Sequence, residues 1–442
     1  MRDICVLGGG LAGMAAAAAL GGTGYRVRIL EAKPFLGGRA TSFPLPPSGD
    51  ERPEVIDNCQ HILLRCCVNL LDFYTRMGVT ERIEFHRKFY FIEPGGRTSV
   101  LEAGFLPAPA HFTGSFLGLS FLGLSEKLAL TRALNAMRRE RGSRTDLDSI
   151  TMAQWLEEKR QPARVVERFW RQILVSAINE ELDRMSALHG FQVFWLGFLA
   201  RPDSYEMGIP ATPLGELYSA DAWKRLPNVT LSLRSPVERM VIENGCVAGV
   251  IVNGETITAD CYISSLPFER LAPLAPGLGV DYSRFEHSPI TGIHLWFDRP
   301  VTGLPHGTLL DRTIQWFFNK GEGRYLQLVV SASRGLVEMP RAEVIALALR
   351  ELPEFLPRVR DARLEKAHVI KEVRATFSAT TGLEGLRPGT KTAIPNLFLA
   401  GDWTRSGWPA TMEGAVRSGY LAAEAVCAAA GTPQRFLLPD IA

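Results

Sequence analysis

Three glycines near the start of the chain, Gly8, Gly10 and Gly13, follow an apolar run at residues 4–7 in the spacing Gly-x-Gly-x-x-Gly, and Glu31 closes a second apolar run at residues 27–30. This pattern suits capture of a dinucleotide. Gly8 permits a tight turn, Gly10 lets a pyrophosphate approach the backbone, and Gly13 lets a helix pack closely on its strand. Free N–H groups and the helix dipole favour phosphate charge at that helix's N-terminus. The Glu31 carboxylate accepts hydrogen bonds from ribose hydroxyls and repels a 2′-phosphate, which argues against NADP as a tightly held ligand. The elements required are a strand, an alanine-rich helix and a second strand, a βαβ unit with its acid at the expected spacing of about 20 residues.

Just after the acid, Gly37-Gly38-Arg39 resembles the extended signature of FAD oxidoreductases. Two glycines let the chain pass near the pyrophosphate, and a guanidinium adds a forked donor. FAD is therefore expected rather than NAD. At the other end of the chain, Ala400-Gly401-Asp402 reads as a strand delivering a carboxylate to the crevice where open α/β sheets bind ligands, in reach of ribityl hydroxyls. A helix opening at Met412 would aim N–H groups at the flavin N1/O2 edge, where negative charge develops on reduction. Gly414, Ala415, Ser418 and Gly419 keep that helix slim.

At 442 residues the chain exceeds the single-core limit of roughly 250–300 residues, so more than one domain is expected. A net charge of +2 gives no reason to expect nucleic acid as a partner. The seven cysteines are scattered apart from Cys66-Cys67, and their spacing suggests neither zinc nor a disulfide framework. The start of the chain reads as nucleotide fold rather than export signal, so a cytoplasmic location with reduced thiols is expected. No run reaches the roughly 20 apolar residues that span a bilayer.

The expected fold is α/β: a Rossmann-like FAD-binding domain, a parallel sheet with a β-meander insertion, and an α+β substrate domain with a helical part. The FAD-binding domain is expected at residues 1–75, 212–280 and 371–442, the substrate domain at 76–211 and 281–370. Thr212 and Pro213, with Glu216, mark a helix start leading to strands at 229–233 and 237–242. Asn244-Gly245 and Asn253-Gly254 mark hairpin turns around a strand at 247–252, and residues 261–264 return to the parallel sheet. A last strand at 396–400 and a last helix at 412–429 close the domain. In the substrate domain, Pro162 opens a helix with an apolar stripe of Val166, Phe169, Trp170, Ile173 and Ala177, and strands are expected at 291–298 and 325–330.

With these motifs in place, the whole chain resembles the amine oxidase and phytoene desaturase superfamily of FAD flavoproteins. Within it the likeness is greatest to the squalene-associated hydroxysqualene dehydroxylases, through Asp57-Asn58-Cys59-Gln60-His61, Met207-Gly208-Ile209-Pro210, Ile293-His294-Leu295-Trp296-Phe297-Asp298 and Ala400 to Thr404 with Pro409 to Ala415. The resemblance implies that FAD is held by Gly8, Gly10, Leu11, Ala12, Gly13, Glu31, Ala32, Gly38, Arg39, Ala40, His61, Val237, Gly401, Asp402, Thr411, Met412 and Ala415. Thr411 stands where amine oxidases carry an aromatic-cage tyrosine, and Thr291 where they carry a lysine near flavin N5, which disfavours an amine substrate. Cys59 departs from the glycine usual in the favoured branch.

The resemblance implies a thirty-carbon isoprenoid substrate, reductive removal of the allylic hydroxyl of hydroxysqualene, and contact with upstream isoprenoid synthases. The alternative is a carotenoid-type desaturase working from oxidised FAD; an amine oxidase and a flavin-bound scaffold without turnover stand behind it. Phe191, Val193, Phe194, Trp195, Phe198 and Leu199, with Phe105, Phe112, Phe116 and Phe121, are expected to line a long apolar tunnel. Trp296 and Trp408 are expected to stabilise an allyl cation, and His61 is the candidate general acid, with a structural hydrogen-bonding role as its competitor. Residues 112–124 precede an amphipathic helix, expected to be capped by Ser125, with Leu130, Ala133, Leu134 and Met137 on one face and Arg138, Arg139 and Arg141 at its end. This pair suits peripheral contact with the inner face of a bacterial membrane, and equally a helical cap over the substrate cavity.

Overall fold

The computed structural model describes residues 2–46 and 54–441. A five-stranded parallel sheet has the order Val229–Ser232, Arg26–Leu30, Asp3–Leu7, Cys261–Ser264, Leu397–Leu399. It thus gathers strands from both ends and the middle of the chain. Helix Leu11–Gly21 is buried along its whole length, because its alanines leave room for the sheet on one side and helix Met412–Ala429 on the other. The two helices touch through Gly419, where an added Cβ would lie 2.2 Å from the Ala12 carbonyl oxygen. A three-stranded meander, Val237–Glu243, Cys246–Val252 and Glu255–Ile257, turns at Asn244-Gly245 and Asn253-Gly254, all four with positive φ.

A seven-stranded sheet has the order Leu364–Phe377, His287–Phe297, Tyr325–Ser331, Trp316–Gly321, His306–Leu309, Phe89–Ile92, Thr98–Leu101. Its neighbours are antiparallel except His306–Leu309 beside Phe89–Ile92. The two-residue period of its strands separates its faces. Ile293, Leu295, Phe317, Leu326 and Leu328 pack under helix Arg341–Phe355 through Val344, Ala348 and Leu352. The opposite face carries Phe89, Phe91, Trp316, Phe318 and Val329 into a second core shared with the helices between residues 113 and 199.

Several local expectations shift. The helix expected to be capped by Ser125 runs Leu124–Glu140 with Gly123 as N-cap, because the Glu126 carboxylate reaches back to the Gly123 N–H at 2.6 Å. Its Leu130, Ala133 and Met137 are buried in protein, so the amphipathic stripe faces the core and not a membrane. The helix after Pro213 is two short pieces, Leu214–Leu217 and Ala220–Trp223. After Pro162 the chain is helical from Ala163 to Ile178, but residues Val166–Arg171 form a π-helical turn. Its extra residue rotates the remainder of the helix: Leu174, Val175 and Ile178 are buried in place of Ile173 and Ala177, which turn to a cavity.

Candidate functional site

The carboxyl edge of the parallel sheet brings the glycine turns together. Gly10 bridges Gly37, the Gly37 N–H donates to the Gly9 carbonyl at 2.9 Å, and an added Cβ on Gly38 would lie 3.1 Å from Gly10 Cα. At Gly13 a Cβ would meet the Gly8 oxygen at 2.1 Å, so glycine is required for the strand–helix turn itself. At Gly10 the nearest atom to a Cβ is 4.0 Å away, an open approach to the backbone. No side chain caps the helix at Gly10, so its first N–H groups face the space a diphosphate requires. Leu11 and Ala12 form its first turn, and Ala40 donates its N–H to Gly37. The Glu31 carboxylate accepts from Gly9 N–H at 2.7 Å and Lys33 N–H at 2.8 Å, across Ala32, and keeps lone pairs for a diol. Val237 opens its strand two residues after Ser235, whose N–H donates to the Glu31 carbonyl.

Arg39 is half-buried. Its guanidinium donates to Asp402 at 2.6 Å and to the Ala375 carbonyl at 3.0 Å, which ties the first glycine cluster to the last strand. Gly401 has φ of +124°, and its N–H donates to Ser418. Thr411 caps the last helix by accepting from Gly414 N–H at 3.0 Å, leaving Met412 and Ala415 in the first turn. These groups fit a flavin dinucleotide stretched from the first helix N-terminus to the last. When bound, FAD supplies a two-electron hydride centre.

The Asp57–His61 loop lies over the seven-stranded sheet at Gly292, where an added Cβ would be 3.2 Å from the Asn58 oxygen. His61 Nδ1 is 2.9 Å from the Cys59 carbonyl, an acceptor, so the ring proton sits on Nδ1. Burial pushes the His61 pKa down, which leaves a neutral ring with Nε2 as an acceptor. Thr291 faces away, bonded to Ser333. The lysine that meets this loop is Lys320, 3.2 Å from Gln60 Oε1 and 3.7 Å from Asp57. It shares a strand face with Trp316 and Phe318, a period-two signal that sequence reading passed over.

An apolar cavity of about 1080 Å³, open solvent at its mouth included, has Thr411, Met412 and Glu413 of the last helix and its cap in its lining. Its walls include Ile62, Leu64, Leu70, Ile173, Val193 and Leu196, with the aromatic faces of Phe89, Phe91, Phe198, Trp316 and Trp408. Of the expected lining, Val193, Phe198 and Trp408 are in place. Phe191 and Phe194, three apart on one helix, face the other way onto Trp155 and Trp170. Trp195 stacks with Arg141, and Trp296 bonds Glu54 under Lys366, outside the cavity. Phe121 packs on Phe91, Phe112 packs on Tyr205, and Phe105 is 98% exposed. Hydrophobicity alone does not tell a core face from a cavity face, and helix phase decides it. The lining also includes the polar residues Gln172, Ser176, Gln192 and Thr308, which no sequence motif marks.

Glu413 is fully buried and accepts from Asn69 N–H and Nδ2–H and from Leu70 N–H. Burial outweighs those bonds and pushes its pKa up to about 7. All seven cysteines are free thiols, and among the described residues no cluster of His, Cys, Asp or Glu is arranged to hold a metal ion.

The profile of flavin-containing amine oxidoreductases matches residues 11–427. The 15-cis-phytoene desaturase of Synechococcus elongatus is 25% identical over 468 residues, covering 98% of this chain and 97% of that one. The probable zeta-carotene desaturase of the same organism is 26% identical over 479 residues, covering 96% and 98%. Among solved structures, an oxidoreductase from Methanosarcina mazei shares the fold with a TM-score of 0.71 at 19% identity, over 94% of this chain and 98% of that one. The cofactor is FAD, and the chain is a flavin oxidoreductase similar to the phytoene and zeta-carotene desaturases. By its glycine turns, its Arg39–Asp402 tie and the match across nearly its whole length, the chain belongs to the family of flavin-containing amine oxidoreductases.

Proposed function

We propose that this protein removes the allylic hydroxyl of hydroxysqualene to give squalene. The observation that carries the reading is the apolar, aromatic-walled cavity whose lining includes Thr411, Met412 and Glu413, at the N-terminus of the last helix. The overall change is replacement of C–OH by C–H with release of water: FAD held by the glycine turns would, when reduced, supply the hydride, and solvent would supply the proton that leaves with the oxygen. Ile62, Leu64, Leu70, Ile173, Val193 and Leu196 exclude solvent from the chain of the substrate. The faces of Trp408, Trp316 and Phe198 offer cation–π attraction to a delocalised allyl cation, about 2 kcal/mol or more where water is absent. His61, neutral and bonded to Cys59, orients the loop over the sheet and presents a lone pair. Among the described residues of the cavity wall the one carboxyl is Glu413, already committed to Asn69 and Leu70, which disfavours an amine substrate.

A second reading, desaturation of a carotenoid precursor by oxidised FAD, is favoured by the two cyanobacterial relatives. One experiment separates them: hydroxysqualene is given to the dithionite-reduced holoprotein and phytoene to the oxidised holoprotein, and the lipid products are identified. Squalene is expected from the first. New double bonds in phytoene, with hydroxysqualene untouched, overturn the reading in favour of the second.

We further propose contact with an anionic membrane surface through residues 105–128. Phe105, Leu106, Leu117, Leu124 and Leu128 are exposed there, and Arg132, Arg138 and Arg139 are exposed on the same helix as Leu124 and Leu128. Apolar side chains beside cations suit the headgroup layer of such a bilayer.

A further inference from the structure

Cys66 and Cys67 are the one adjacent pair among the seven cysteines, and nothing in the proposed reaction uses them. A strand would send neighbouring side chains to opposite faces. Two consecutive turns prevent that here: the Cys67 N–H donates to the Leu64 carbonyl and the Val68 N–H to the Cys66 carbonyl, both at 2.9 Å, before helix Val68–Met77 begins. With φ of −78° and ψ of 64°, Cys67 is the centre of an inverse γ-turn. Cys66 is 4% exposed and Cys67 is half-buried, so both keep accessible surface, and both line the apolar cavity. Cys67 packs against the small cluster of Cys66, Leu196 and Trp408, and the two thiols share a hydrogen bond.

That hydrogen bond and burial hold the Cys67 thiol well above its ordinary range, so it stays protonated. Apolar surroundings penalise charge. A ligand for this pair must therefore be neutral once bound and be satisfied by two sulfurs. A tetrahedral ion such as zinc takes at least three protein ligands, and among the described residues no group of three or more His, Cys, Asp or Glu is placed to hold a metal ion. A trivalent arsenic atom that already carries one carbon substituent needs only two.

We propose that Cys66 and Cys67 form a dithiol site for trivalent organoarsenic compounds, with the carbon substituent on arsenic lying in the cavity among Leu64, Leu196 and Trp408. With an arsenoxide, two As–S bonds form, the arsenic–oxygen bond breaks, and the oxygen leaves as water with both thiol protons. Arsenic stays trivalent and neither sulfur is oxidised. The product is neutral, so no charge enters the apolar wall. The site does not depend on which lipid the cavity takes.

The test is mass spectrometry of the FAD-loaded protein, intact and after digestion, with phenylarsine oxide as the probe. Wild type is expected to take up one phenylarsenic group on the peptide that holds both cysteines, to keep it in excess monothiol and to release it to dimercaptopropanol. Closing the second As–S bond within one chain is worth at least about a hundredfold in affinity. Cys66→Ala and Cys67→Ser are each expected to lose that margin and to release the group to monothiol. Serine is a preferred N-cap residue, so Cys67→Ser is expected to keep helix Val68–Met77. Cys246→Ser, at the exposed cysteine of the meander, is expected to behave as wild type. Absence of a monothiol-resistant adduct from the native protein overturns the site, and so does an adduct that maps to other cysteines or withstands monothiol in both single variants.

Discussion

Glu413 shows how one residue binds two elements at an electrostatic cost. It joins the last helix to helix Val68–Met77 through Asn69 and Leu70, and burial holds its pKa near 7 against an ordinary value of 4.5. That difference amounts to about 3 kcal/mol against the ionised form. Between those two pH values the folded protein keeps a proton that the unfolded chain releases, so stability falls as pH rises through the interval. The stability of wild type relative to Glu413→Gln is therefore expected to decline from pH 4.5 to 7 and to be flat above it. Urea titrations of both proteins across that range check this; a difference that grows with pH would contradict it.

At the scale of elements, the contact between helices Leu11–Gly21 and Met412–Ala429 sets the geometry of both cofactor-facing N-termini. Gly419 permits that contact, since a methyl group there would stand 2.2 Å from the Ala12 carbonyl oxygen and 3.0 Å from Ala15 Cβ. Backbone cannot yield as a flexible side chain does, so the helices must separate. Gly419→Ala is expected to cost roughly 1–3 kcal/mol and to weaken FAD retention. The measurements are urea denaturation of the apoprotein and flavin absorbance after gel filtration. Full stability with full flavin content would show that the spacing is not tight.

Across the whole molecule, charge and apolar exposure are unevenly placed. The net charge is only +2, yet exposed leucines and arginines are concentrated in one stretch of the chain, residues 105–139. If that stretch meets lipid, the protein should sediment with phosphatidylglycerol vesicles and release at high salt. The triple variant Leu117→Ser, Leu124→Ser, Leu128→Ser should partition at least about tenfold less, given ~1.5–3 kcal/mol for each fully buried leucine. Equal sedimentation of wild type and variant excludes this surface. No helix among the described residues is long and apolar enough to cross a bilayer.

The sequence alone determined the dinucleotide turn, because Gly8, Gly10, Gly13 and Glu31 act through local backbone geometry that spacing encodes. The same holds for the Asn-Gly hairpins and for the last strand and helix, whose limits are set by turn residues and a capping threonine. Tertiary structure decided which apolar faces became core and which became cavity. Phe191 and Phe194 went to the core while Val193 and Phe198 line the cavity, and two π-helical turns shifted the helical phase on which any such reading depends. It also decided the long-range pairs, Arg39 with Asp402 and Trp316 with Ser176, since residues so far apart in the chain meet only after sheets and helices have packed.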